Sequence, residues 1–383
     1  MIMYNYSQLK KSFILSLLSL ISLFLFFQNC SPIKNTDVVF AVTPKGSREI
    51  GIDFLYTTLT SDFNNNLIKS KAAGASVLPL ILGWNQIEPK TPNDCTSPGT
   101  YIDPYNSLTT FDTMLNANNI KMLLAVVPIT TNLNMLPSNL NNRPLNDSLV
   151  LCRYQKMLTY VFSKISNINL YSFQVGNELD IFSTSNTAQF WSDYSTFLSN
   201  AAAAAKILRP GLKVGVIGTL YGAIGATTNA AAKSGLQQLF SISDYVAVTY
   251  YPVNSDMSVK DSSIIESELK TLTDLYPTKS IYITEFGFQS GSISTNSSEI
   301  KQQKAFAALF TSWDIHSSQI SLISFLRLND LSHLDAQNTA SQYGLPGNLP
   351  FTEFIETLGL RTYDNRDKPG YLELISQARA RGW

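Results

Sequence analysis

Eight short apolar, β-rich runs, each followed by a longer stretch of helical character, govern what this chain can fold into. The runs cover residues 51–56, 76–82, 121–127, 170–175, 213–217, 245–249, 280–284 and 322–325. They are continuous rather than alternating, as in parallel strands buried on both faces. Helical patterns fall between them, at 148–165, 187–208, 262–275 and 298–313, with a last one at 371–380 after Pro369. Strand then helix, eight times over in 383 residues, predicts an α/β fold: a single-domain (β/α)8 TIM barrel with loop insertions. The competing architecture is an open doubly wound sheet. That fold calls for a glycine-rich phosphate turn after the first strand, and none is present. No break in composition divides residues 48–383 into two domains.

The first 29 residues read as a targeting segment rather than as part of the fold. Lys10 and Lys11 precede an apolar run from Phe13 to Phe27, too short to span a bilayer and of the length of a signal-peptide core. Cys30 follows almost at once. This arrangement resembles the lipobox of bacterial lipoproteins, in the looser form found in spirochaetes, because Phe27 and Asn29 stand where Leu and a small residue are usual. The resemblance implies export to the cell envelope, lipidation of Cys30, a linker over residues 30–47, and membrane contact only through the lipid anchor. An ordinary cleaved signal with an incidental Cys30 is the alternative. Cys95 and Cys152 are the remaining cysteines. In an oxidising compartment they either form a bridge, both falling toward one end of the barrel, or stay as two thiols.

Composition narrows the partners. Basic and acidic residues number 28 each, and only 15% of residues are charged, so the chain lacks the basic field that nucleic acid or an anionic membrane surface requires. Ser, Thr, Asn and Tyr carry the polarity instead, which suits a neutral, hydroxyl-rich ligand such as a carbohydrate. His316 and His333 are the only histidines, too few for a His-rich metal centre. No Gly-x-Ser-x-Gly turn accompanies them, which argues against a Ser-His-Asp hydrolase. Neither a metal nor an organic cofactor is expected, and a monomer is.

Active sites of such barrels lie at the C-terminal ends of the strands. The fourth run ends in Gln174-Val175-Gly176-Asn177-Glu178, and the seventh in Ile283-Thr284-Glu285-Phe286-Gly287. Each puts a Glu at the mouth, on roughly opposite sides of the barrel axis. Two carboxyls facing across a cleft are what glycosidic cleavage needs, one to protonate the leaving oxygen and one to attack the anomeric carbon.

Asn-Glu after strand four and Thr-Glu-Phe-Gly after strand seven resemble the signature of clan A of the retaining glycoside hydrolases. The resemblance implies that Glu178 is the acid/base, Glu285 the nucleophile, and Asn177 the residue that holds the sugar 2-hydroxyl. It also implies that Tyr251 donates to the nucleophile. The same pattern often carries a His where this chain has Thr249. Tyr250 reads either as a second sugar contact or as a wall aromatic. Gly83-Trp84-Asn85-Gln86-Ile87-Glu88-Pro89 is similar to the Trp-x-x-Ile-Glu-Pro segment of clan members, with Trp84 and Glu88 shaping the rim, and Trp84 and Asn85 candidate sugar contacts. The second strand lacks the Arg usual there, and Arg327 on strand eight is a candidate replacement. Strand eight also lacks the usual Trp. Phe325 either takes its place or belongs to the core. Leu358-Gly359-Leu360-Arg361 and Lys368-Pro369-Gly370-Tyr371 resemble the segment that introduces the last helix. The expected activity is retaining hydrolysis of a β-linked glycoside. A non-catalytic surface lipoprotein that binds glycan or host protein is the alternative.

Overall fold

The computed structural model describes residues 42–55, 58 and 62–383. The targeting segment, Cys30 and most of the linker lie outside the described residues, as does Tyr56. Residues Val42–Trp383 form one unit.

The barrel strands are β1 (Glu49–Ile52), β2 (Ala75–Gly83), β3 (Lys121–Val127) and β4 (Leu170–Gln174), then β5 in two pieces (Val214–Gly215 and Ile217–Thr219), β6 (Val246–Tyr250), β7 (Ile281–Phe286) and β8 (Ile320–Phe325). All pair in parallel with their sequence neighbours, and β1 pairs with β8. The two ends of the sheet are the two pieces of β5, so the ring closes through Val216. Where one continuous fifth run was expected, Val214–Gly215 serve β4 and Ile217–Thr219 serve β6. The expected first run is likewise shorter. β1 reaches β2 only through Ile50–Ala75 and Gly51–Val77, so Pro79 sits beyond the stretch of β2 that β1 accompanies, where a missing N–H is tolerated.

One outer helix follows each strand: α1 (Phe63–Ala72), α2 (Ser107–Ala117), α3 (Ser148–Lys164), α4 (Ala188–Leu208), α5 (Ala232–Ile242), α6 (Ile264–Leu275), α7 (Glu299–Ile315) and α8 (Pro369–Arg381). Their starts are written in the sequence. Asp62, Asp147, Thr187 and Ser298 each accept a backbone N–H as N-cap, and Pro369 opens α8. The barrel interior is a cluster of its own, built from Val77, Leu123, Ile217, Tyr245, Ala247, Tyr282 and Leu322. The larger core lies between strands and helices. Such separation is expected when inward and outward residues alternate along parallel strands.

The rim carries two structural ties. Arg153 on α3 and Glu88 after β2 form a fully buried ion pair of 2.6 Å, and Trp84 Nε1 donates to the same carboxylate at 3.1 Å. Next to it, Cys95 and Cys152 form a disulfide, their Cα atoms 6.0 Å apart and 57 residues apart in sequence. In the chain-entropy picture, a loop of that length corresponds to about 4 kcal/mol of stabilisation. Cys95→Ser with Cys152→Ser is therefore expected to lower the urea midpoint of the oxidised domain, and reductant is expected to leave that variant unchanged. A wild-type midpoint insensitive to reductant would contradict this.

Candidate active site

Glu285 reaches the mouth through a local irregularity. Tyr282 faces the barrel interior and Ile283 faces the helices, so strict alternation would turn Glu285 outward. The β6–β7 register, however, slips between Ile283 (opposite Val248) and Glu285 (opposite Thr249). Thr284 is the extra residue, and the bulge turns Glu285 inward beside Thr249. Glu178 arrives by another route. It follows β4 with a left-handed backbone (φ 49°), leading into a short turn, Leu179–Ile181. Asp180 anchors that turn by accepting the Thr219 backbone N–H (2.8 Å) and hydroxyl (2.6 Å). A Cβ at Gly222 would collide with the Asp180 carboxylate, so glycine is needed there.

Both carboxylates line a cleft of about 1230 Å³ at the strand ends. Glu178 accepts the Thr131 hydroxyl on Oε2 and the Thr249 hydroxyl on Oε1, each at 2.7 Å. Thr249 thus donates to Glu178. Tyr251 donates to Glu285 Oε2 at 2.5 Å. Burial, the Glu178 charge and Asp53 push the Glu285 carboxyl up to about 7, against the Tyr251 hydroxyl and Arg327, which pull it down. The Glu285 carboxyl therefore keeps its proton to a higher pH than an ordinary carboxyl does.

This shift has a consequence for folding. Glu285 is raised in the folded state above its ordinary value of 4.5, so its contribution to stability is complete below pH 4.5 and is lost as pH rises through about 7. Because the side chain opens onto the solvent-filled cleft, the loss is on the order of 2 kcal/mol. Glu285→Gln is expected to match wild-type stability at pH 5 and exceed it at pH 8. Equal differences at both values would rule out the raised carboxyl.

Asn177, Tyr251 and Arg327 line the cleft wall. Asn177 donates its Nδ2 to Thr130 Oγ1 at 3.2 Å, and its buried Oδ1 has no hydrogen-bond partner. Arg327 has a left-handed backbone (φ 69°) and donates to the Ile355 carbonyl at 3.1 Å. Other expected contacts are corrected. Tyr250 is fully buried on the helix side of β6, where its hydroxyl donates to Glu268 of α6 at 2.6 Å, because alternation from inward Thr249 turns it outward. Trp84 is also fully buried, edge-on to Tyr154. Asn85 stands outside the cleft wall, which its neighbour Gln86 joins. Phe325 is core, packed against Phe286, Phe306 and Phe310.

The structure adds residues the sequence reading missed. Asp53, just past β1, lines the cleft with its carboxyl raised by burial. An acidic residue at a strand end was the available signal. Tyr343 enters from a long β8–α8 insertion that carries two more helices, His333–Gln342 and Leu349–Glu356. Burial and the charges of Glu178 and Glu285 push its phenol up to about 12. Nothing in the local pattern around Tyr343 marks it.

No family model and no curated protein sequence matches the chain. Solved structures do. A family 39 glycoside hydrolase from Bacteroides cellulosilyticus superposes with a TM-score of 0.58 at 15% identity, covering 88% of this chain and 64% of its own. An exo-β-1,4-mannosidase from an Opitutaceae bacterium gives 0.63 at 14%, covering 87% and 59%. A GH5_18 protein from Bifidobacterium longum subsp. infantis gives 0.62 at 12%, covering 87% and 78%. The barrel is one shared with glycoside hydrolases. The chain spans less than two thirds of the first two of these proteins.

Proposed function

We propose that this protein is a retaining glycoside hydrolase that cleaves O-glycosidic, β-configured bonds with Glu178 as acid/base and Glu285 as nucleophile. The observation that carries the reading is the hydroxyl-bonded carboxylate pair that shares one cleft at the ends of β4 and β7. In the first step Glu285 attacks the anomeric carbon as Glu178 gives its proton to the bridging oxygen, and the carbon–oxygen bond to the leaving group breaks. Positive charge developing at the anomeric carbon lies beside Glu285 and favours its ionised form. The proton given to the leaving oxygen comes from Glu178. In the second step Glu178 takes a proton from water, the resulting hydroxide attacks the same carbon, and Glu285 departs, so configuration is retained. The unpartnered Asn177 Oδ1 is suited to accept a sugar hydroxyl, and Tyr251 steadies the charge on Glu285.

The substrates to test first are β-mannosides, since one similar structure is an exo-β-1,4-mannosidase and another similar structure is a complex with Manβ1-4GlcNAc. The experiment is to incubate the domain lacking residues 1–30 with aryl β-glycosides and β-glycans and to follow the anomeric proton by NMR. First-formed product of retained β configuration supports the proposal. Inverted product refutes the covalent mechanism, and a folded domain with no turnover on any member of the panel points to glycan binding instead. We also propose that the protein is exported and lipid-anchored at Cys30. The Cys95–Cys152 disulfide fits an oxidising compartment. Cys30→Ala should move the full-length protein from the detergent phase to the aqueous phase.

A further inference from the structure

Thr131 combines an unfavourable backbone with a contact to the acid/base. It lies at the tip of a two-residue ribbon just past β3, in which Ile129 pairs with Asn134 and Thr130 with Leu133. The loop of this hairpin is Thr131-Asn132, and Thr131 has φ 52°. A tight hairpin with positive φ at its first loop position takes glycine there, and a β-branched residue is the one least suited to it. Local conflict of this kind persists only where surroundings enforce it, and it clusters at functional sites.

Here the surroundings are the acid/base segment itself. The Thr131 N–H donates to the Asn177 carbonyl at 2.9 Å, and the Asn177 N–H donates to the Ile129 carbonyl at 3.2 Å. From the opposite side, Asn132 Nδ2 donates to the Tyr343 carbonyl at 3.0 Å. Held between the two, the Thr131 hydroxyl donates to Glu178 Oε2 at 2.7 Å. A glycine would relax the turn but carry no hydroxyl.

We propose that Thr131 is a positioning residue for Glu178: a strained hairpin tip that fixes Oε2 while Thr249 from β6 holds Oε1, so that the carboxyl stays aimed at the bridging oxygen. The proposal rests on the two-glutamate reading above. A hydroxyl fits this task because it carries no charge of its own, and Glu178 must alternate between acid and base. In T131V the donor to Oε2 is lost and the carboxylate is left with the Thr249 hydroxyl alone. The other groups facing Glu178 are Glu285 from β7, Asp180 in its own turn, Tyr251 after β6 and Tyr343 from the β8–α8 insertion. Asp53 and Arg327 act on Glu285.

The test compares T131V, T131S and T131G with wild type on a glycoside that needs acid help, methyl β-mannoside, and one that does not, 2,4-dinitrophenyl β-mannoside. If the panel above identifies another glycone, the same two leaving groups are used on it. For T131V, kcat/KM is expected to fall about 30-fold on the methyl glycoside and less than about threefold on the dinitrophenyl one. The alkaline limb of its pH profile should move upward, and T131S should recover most of the loss. T131G should share the catalytic defect of T131V while melting at the same or a higher temperature than wild type, which a purely structural residue would not do. Equal losses on both leaving groups, an unmoved pH profile, or no recovery in T131S would overturn the proposal. Wild-type turnover that is lost in Glu178→Gln but intact in T131V removes Thr131 alone. Absence of wild-type turnover removes the two-glutamate reading and Thr131 with it.

Discussion

Glu178→Gln and Glu285→Gln are each expected to leave a folded barrel that has lost turnover, and to fail in different ways. Without the Glu285 carboxylate no glycosyl ester forms, so the loss is on the order of 10⁴-fold or more whatever the leaving group. Without the Glu178 proton the loss depends on how badly the departing oxygen needs it. Dinitrophenolate departs unaided, so the glycosyl-enzyme forms and then stalls, because no base remains to activate water. Mass spectrometry of that mixture should find the sugar attached to Glu285 in the Glu178 variant. A small anion such as azide needs no general base and should release the stalled sugar as a β-glycosyl azide. The reverse pattern, a leaving-group dependence that follows Glu285, would exchange the two roles. In Glu178→Gln the amide oxygen accepts one of the Thr131 and Thr249 hydroxyls while the amide NH2 donates to the other, and in Glu285→Gln the amide oxygen still accepts the Tyr251 hydroxyl.

The second large effect is on stability, at the ion pair under the rim. Arg153 and Glu88 are fully buried, and Arg153 also donates to Thr91 Oγ1 and to the Ser97 carbonyl. Arg153→Leu leaves the fully buried Glu88 carboxylate without its cation, with the Trp84 indole N–H still donating to it. Removing one partner of such a pair costs about 3–5 kcal/mol, since the orphaned charge keeps its desolvation penalty. Urea unfolding of Arg153→Leu should report a loss of that size. Arg153→Leu with Glu88→Leu should lose less than Arg153→Leu alone, because the stranded charge is gone. Turnover by the folded fraction at low temperature should stay near wild type, since the pair lies outside the cleft. A double variant as damaged as the sum of the singles would mean that the pair acts through independent packing contacts instead.

The barrel was legible in the sequence because parallel strands buried on both faces must be apolar throughout, and polar helix caps mark where each helix begins. Glu178 and Glu285 were legible because each stands directly after such a run, at the end of the barrel where loops can carry chemistry. Orientation was another matter. Period-two alternation from Tyr282 turns Glu285 away from the axis, and only the bulge at Thr284, a product of pairing with β6, turns it back. The same alternation, without a bulge, sends Tyr250 to Glu268 and leaves Tyr251 to serve Glu285. Asp53 and Tyr343 lie far apart in sequence, and Thr131 looks like any loop residue. Their convergence depends on which loops close over the mouth. Burial pattern is a local property of the chain and reads directly from residue types. Which oxygen a hydroxyl reaches depends on register slips and loop contacts made between distant segments, and those exist only once the barrel has closed.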